Sequence, residues 1–157
     1  MKFKILISLA IFIILLAGCT SSASGPVEIK QNEDACDACN MGIQELNSAA
    51  QMILENGKPL LFDDIGCMID YIQKKAPTYE AAFVHDYKTK EWIDFDKSTF
   101  VQDHSINSPM SYGIAAFEAE ENASEFMNEH GGKLYSQKEL LNVEMKSLKT
   151  GEMEHGH

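Results

Sequence analysis

Between residues 50 and 136 the chain alternates short apolar runs with polar interruptions, and the period of each run names its element. Gln51 to Leu54 and Leu60 to Phe62 are apolar runs flanking Glu55-Asn56-Gly57-Lys58. Asn-Gly between such runs predicts a hairpin. Ile65, Met68, Ile69 and Ile72 then recur at helical spacing. Asp63 and Asp64 stand where a helix start takes a cap and an acidic partner, Lys74 and Lys75 where its end takes cations, and Pro77 stops it. Tyr79 to His85 reads as a strand, Lys88 to Glu91 as a polar turn and Trp92 to Phe95 as the return strand. Tyr112 to Phe117 is a further apolar strand, and Glu120 opens a second helix that runs to His130 and stops at Gly131-Gly132. Lys133 to Ser136 completes the strands, and Gln137 to Lys149 is a run of good helix formers at the C-terminus.

A strand-strand-helix-strand order therefore occurs twice, over about 41–87 and about 91–136. Phe62 and Phe117 each lead into a helix, and Tyr71 and Phe126 occupy matching helical places, both pairs offset by 55 residues. The expected fold class is α+β: two related strand-strand-helix-strand units sharing a core, plus a C-terminal helix.

The N-terminus follows a different pattern. Lys2 and Lys4 precede an apolar run from Ile5 to Ala17, the length of a signal-peptide core and too short to span a bilayer. It ends in Leu16-Ala17-Gly18-Cys19, which resembles a bacterial lipobox. Residues 1–18 are thus expected to be a lipoprotein signal peptide, with Cys19 lipidated. Several acyl chains on one Cys hold a protein at the extracytoplasmic face of the cell membrane, where a single chain would not. Residues 19–32, rich in Ser and Gly, read as a flexible tether. Residues 33–148 are expected to form one domain, and residues 149–157, with Met153, His155 and His157, a polar Met/His tail of no fixed structure.

Charge narrows the partners. Every one of the 13 basic residues is Lys, and removing Lys2 and Lys4 takes the formal charge from −11 to −13. Nucleic acid and anionic lipid are excluded as natural partners, and cationic cargo or a partner with a basic face is favoured.

The chemistry concentrates in Asp34-Ala35-Cys36-Asp37-Ala38-Cys39-Asn40-Met41-Gly42. Thiolate and thioether are soft donors and select Cu(I) over hard cations. On an extended backbone Cys39 and Met41 would point the same way and reach one ion. Cys36 and Cys39 also satisfy the spacing of a redox pair or a plain disulfide, and Met41 alone would suit a core. Cys67 leaves an odd thiol outside the cytoplasm, either used or buried and inert. Asp63 and Asp64, ahead of a helix, read as cap and dipole partners rather than a catalytic pair. His85, before an acidic turn, reads as structural.

Four features stand in order: the Cys-rich stretch above; Phe62-Asp63-Asp64-Ile65-Gly66-Cys67-Met68; Glu91-Trp92-Ile93-Asp94; and Ser108-Pro109-Met110-Ser111-Tyr112-Gly113-Ile114-Ala115-Ala116-Phe117, with Gly131-Gly132 beyond. Together they resemble the NosL family, lipoprotein accessory factors of nitrous oxide reductase in denitrification. Asn40 departs from the Gly that the family usually places between Cys and Met; Asn tolerates left-handed backbone better than most residues. The resemblance implies a Cu(I)-binding chaperone outside the cytoplasmic membrane that serves nitrous oxide reductase, a similar copper enzyme or its maturation machinery. It points to Cys39 and Met41 as ligands, with Met110 next. The residues agree, since Met110 follows Pro109 in a polar loop with little core to fill, whereas Met68 and Met127 sit on apolar helical stripes. Cys36, Cys67 and His104 are further candidate donors.

Three functions compete. A copper carrier needs soft donors, few ligands and an accessible site. A thiol-disulfide oxidoreductase would use Cys36 and Cys39, but Asp34 and Asp37 have the wrong charge to lower a thiol pKa, and no thioredoxin-like strand precedes them. A structural zinc module of Cys36, Cys39, Cys67 and a His is chemically sound but leaves Met41 and Met110 unexplained. The copper carrier, a binding protein and not an enzyme, ranks first.

Overall fold

The structure, a computed structural model, describes residues 25–149. The signal segment, Cys19 and residues 150–157 of the Met/His tail lie outside them. Strands β1 (Ala50–Leu54) and β2 (Pro59–Phe62), helix α1 (Ile65–Lys75) and strand β3 (Tyr79–His85) form the first unit. Strand β4 (Trp92–Asp94) follows, then β5 (Thr99–Gln102), β6 (Ile114–Phe117), helix α2 (Glu120–His130), β7 (Lys133–Ser136) and a short helix α3 (Gln137–Leu140). All strand pairings are antiparallel, in the orders β2-β1-β3-β4 and β6-β5-β7. This is the expected α+β class.

The two units match in strand order, and α1 and α2 are both 11 residues long. The expected second unit starts at Trp92. In the structure Trp92–Asp94 instead pairs with β3 and extends the first sheet, and Thr99–Gln102 opens the second unit. That strand escapes a reading by alternation because Phe100, Val101 and Gln102 are all buried. The sheets meet where Tyr87 N–H donates to Ala116 O at 2.8 Å. One apolar cluster takes Met52, Phe62 and Met68 from the first unit and Phe100, Ile114 and Tyr135 from the second, so the core is shared.

The β1–β2 hairpin forms where Asn-Gly predicts it, but not as a two-residue turn. Gly57 N–H donates to Leu54 O at 2.8 Å, Leu54 N–H donates to Lys58 O at 3.0 Å, and Gly57 has φ +79°. Glu55 and Asn56 form the turn and Gly57 takes the left-handed bulge position.

Two expectations fail for traceable reasons. The C-terminal helix over residues 137–149 stops at Leu140, and Met145–Leu148 continues as a 3-10 turn. The break lets Leu140, Met145 and Leu148 all enter the core, and Gln73 Nε2 satisfies the freed carbonyls of Leu141 and Val143 at 3.0 and 2.7 Å. The tether over residues 19–32 is pinned from Val27 onward. The buried Gln51 accepts from Val27 N–H at 2.7 Å and donates to Val27 O at 3.0 Å, like a strand partner. Ile29, Ile43 and Ala49 pack beside it.

Two contacts fix the long β5–β6 loop and the β3–β4 turn. Asp86 is buried and accepts from the N–H groups of Lys88, Thr89 and Glu118 at 2.9, 2.8 and 2.8 Å. Burial works against its charge, but those N–H groups outweigh it and hold the carboxyl below its usual range. Gly66, in the first turn of α1, lies against the Tyr112 ring so closely that a Cβ there would come within 2.1 Å of Tyr112 Cγ.

Asp86→Asn is expected to lose roughly 1.5–3 kcal/mol at neutral pH, the worth of hydrogen bonds to a charged acceptor. A depressed carboxyl contributes stability above its unfolded pKa of about 4 and loses it as pH falls through the lower folded value. The difference from wild type should therefore shrink below about pH 4, as read by denaturant unfolding at several pH values. Gly66→Ala is expected to lose roughly 1–3 kcal/mol through overpacking, despite the better helix propensity of Ala. A variant as stable as wild type in the same assay would show that Tyr112 moves freely.

Candidate metal centre

Residues 34–42 form a tight loop fastened to the exposed edge of the first sheet. Ile43 N–H donates to Asp34 O at 2.9 Å, Cys36 N–H to Met41 O at 2.8 Å and Asn40 N–H to Cys36 O at 2.8 Å. Asn40 has φ +60°, the left-handed conformation that Asn accepts at lower cost than most residues. Asp37 ties the loop to β2: its N–H donates to Leu61 O at 2.8 Å, and its carboxylate accepts from Leu61 N–H at 2.8 Å. The edge strand is thereby capped and the loop held above the start of α1.

The turn overturns the extended geometry expected for Cys39-Asn40-Met41. Cys39 is half-buried, while Met41 is 57% exposed. The two side chains flank a left-handed residue instead of alternating along a strand.

β2 hands the chain to α1 through Asp63 and Asp64, which part company. Asp64 is extended (φ −148°, ψ 142°), and its side chain caps α1 by accepting from Gly66 N–H at 2.8 Å. Its second oxygen accepts from Met110 N–H at 3.0 Å, and Ser108 hydrogen-bonds to it as well. Burial pushes its carboxyl above the usual range, against these three bonds. Asp63 is not a cap partner, contrary to the expectation. Successive residues of extended chain face opposite ways, and Asp63 faces the cysteines. The Cys39 thiol donates to its two oxygens at 3.6 and 3.7 Å.

Cys67 enters from the first turn of α1. The sulfurs of Cys36, Cys39 and Cys67 and an oxygen of Asp63 all lie within 4.8 Å of one another. The three cysteines are free thiols, with Cys36 and Cys67 buried. A hydrogen bond from the Cys67 thiol holds Cys36 down to about 7 against burial, with help from nearby backbone N–H groups. Cys67 is pushed up by that same bond and by burial. Burial pushes Cys39 up to about 11, the Met41 N–H opposing it.

The sequence candidates separate accordingly. Cys36, Cys39 and Cys67 come together. Met110 is pinned by its N–H to the cap of α1, and its side chain packs on the shared core rather than standing free in a polar loop. His104 is exposed on the β5–β6 loop and is outside the cluster. His85 stacks on Trp92 with ring centroids 3.7 Å apart and bonds Lys90 O through Nδ1 at 2.7 Å, a structural role. Met68 is buried and Met127 packs on the smaller core, as their stripes suggest. Asp63 is the residue that sequence reasoning missed. The signal was that one helix start uses one cap, which leaves an adjacent Asp free to face elsewhere.

Comparison with known proteins agrees with this architecture. The crystal structure of the copper chaperone NosL from Shewanella denitrificans superposes with a TM-score of 0.63 at 19% identity, covering 73% of this chain and 94% of that one. At that identity the likeness shows the fold. A search of curated proteins finds no match. The family model described as NosL matches residues 26–145, nearly the whole of the described domain, and on that match the chain belongs to the NosL family.

Proposed function

We propose that this chain is a Cu(I) chaperone, held at the extracytoplasmic face of the cell membrane by lipid on Cys19, that delivers copper to nitrous oxide reductase or to the machinery that matures it. The observation that carries the reading is the pairing of a half-buried thiol, Cys39, with a solvent-facing thioether, Met41, at one end of a NosL-family fold. Soft donors suit Cu(I), and a carrier must release its ion, so a site open on one side serves better than a closed cage. Membership of a family with a solved copper chaperone supports copper as the cargo. Met110, fixed beside the start of α1 and partly buried, is the third proposed donor. The lipobox-like Leu16-Ala17-Gly18-Cys19 supports the membrane anchor. The reading is of a carrier: the protein holds and transfers an ion and performs no reaction of its own.

The test is a titration of the reduced protein against a chromophoric Cu(I) chelator without oxygen. Cys39→Ser is expected to weaken Cu(I) binding by at least about 100-fold and Met41→Leu by about 10-fold, with the fold retained. Wild-type affinity in Met41→Leu would remove the thioether from the site. The surplus of acidic over basic residues also predicts that docking to the recipient weakens as salt rises, measured as association rate against ionic strength. Association insensitive to salt would place docking on an apolar face.

A further inference from the structure

We infer that Cys36, Cys39, Cys67 and Asp63 form a second, closed metal site for a divalent ion of the zinc class, sharing Cys39 with the proposed copper site. The inference goes beyond the copper reading and is tested by different residues.

Geometry is the first support. A tetrahedral zinc ion with bonds of about 2.3 Å to sulfur and about 2.1 Å to oxygen sets sulfur–oxygen edges of about 3.6 Å and sulfur–sulfur edges of about 3.8 Å. Cys39 Sγ stands 3.6 and 3.7 Å from the two oxygens of Asp63, and all four donors lie within 4.8 Å of one another. The Cys39–Asp63 edge already has the length such a site sets, and the 4.8 Å bound puts every other edge within about 1 Å of its own.

The second support is Asp63 itself. It is 2% exposed, yet among the described residues it forms no salt bridge, and its oxygens meet thiols. Neighbouring Asp64, equally buried, is occupied by Gly66, Met110 and Ser108. A buried carboxylate without a cation is costly, and a metal ion would compensate it. Oxygen is a hard donor that Cu(I) does not favour, whereas zinc accepts thiolate and carboxylate together. Three thiolates and a carboxylate also concentrate negative charge, which a divalent ion offsets better than a monovalent one.

The third support is rigidity. Cys36 and Cys39 sit on a loop tied to β2 through Asp37, Asp63 sits at the end of β2, and Cys67 in the first turn of α1. Each donor is fixed by a hydrogen-bonded element, as a closed site requires and a releasing site does not.

The experiment loads the reduced full chain with Co(II), a spectroscopic stand-in for zinc, and then measures Zn(II) affinity by competition with a chelator. One equivalent of Co(II) is expected to give the thiolate charge-transfer and intense visible bands of a tetrahedral ion. Asp63→Asn, which keeps size and shape, is expected to weaken Zn(II) binding by at least about 10-fold, and Cys36→Ser and Cys67→Ser by more. Met41→Leu and Met110→Leu are expected to leave Zn(II) affinity within about twofold, since neither thioether belongs to the four-donor cluster. A weak octahedral Co(II) spectrum overturns the site. So does Asp63→Asn binding Zn(II) as tightly as wild type, or a loss of Zn(II) affinity in the Met variants. Where a Cys variant does not fold, the wild-type spectrum and the isosteric Asp63→Asn decide alone. A failed copper reading would appear instead as Met41→Leu binding Cu(I) normally, so the two ideas fail separately.

Discussion

The structure around the cysteines depends on one buried carboxyl, that of Asp64. It caps α1, holds the Met110 backbone and hydrogen-bonds to Ser108. Those partners come from both units, so a single side chain joins the first helix to the long loop of the second. Its raised pKa is the mark of that position: burial opposes the charge that the three bonds favour. Gly66 completes the junction by letting the Tyr112 ring lie on the helix. The start of α1, and with it Cys67, is held from two sides.

The two units show how an internal repeat acquires a site. Their strand orders and helix lengths agree, but a four-residue connection joins β1 to β2 while residues 103–113 join β5 to β6. The longer connection carries His104, Ser108, Met110 and Tyr112, and it reaches across to the first unit. The segment ahead of the first unit, residues 27–43, buries Ile29 and Ile43 and carries the Cys36–Cys39 loop. Chemistry lies where the copies differ.

The sequence reveals those parts in which local chemistry and tertiary demand agree. The hairpin at Asn56-Gly57, α1 between its Asp and Lys ends, β3 and α2 are readable because turn residues, apolar period and caps point the same way. β5 is hidden because burial on both faces removes alternation. The break after Leu140 is hidden because good helix formers yield to the burial of Met145 and Leu148. The thiols are legible from soft-donor chemistry alone, but their partner Asp63 is not. Asp63 and Asp64 are identical in type and adjacent, and only the extended backbone sends them to opposite sides.

The donors proposed for copper, from Cys39 to Met110, span both units, and no short segment of chain contains them all. A chain that has closed only its first unit has its thiols but lacks the Met110 strap across the helix start. An ion held by all three of these proposed donors would bind only the finished fold, and would add its binding free energy to the stability of that fold.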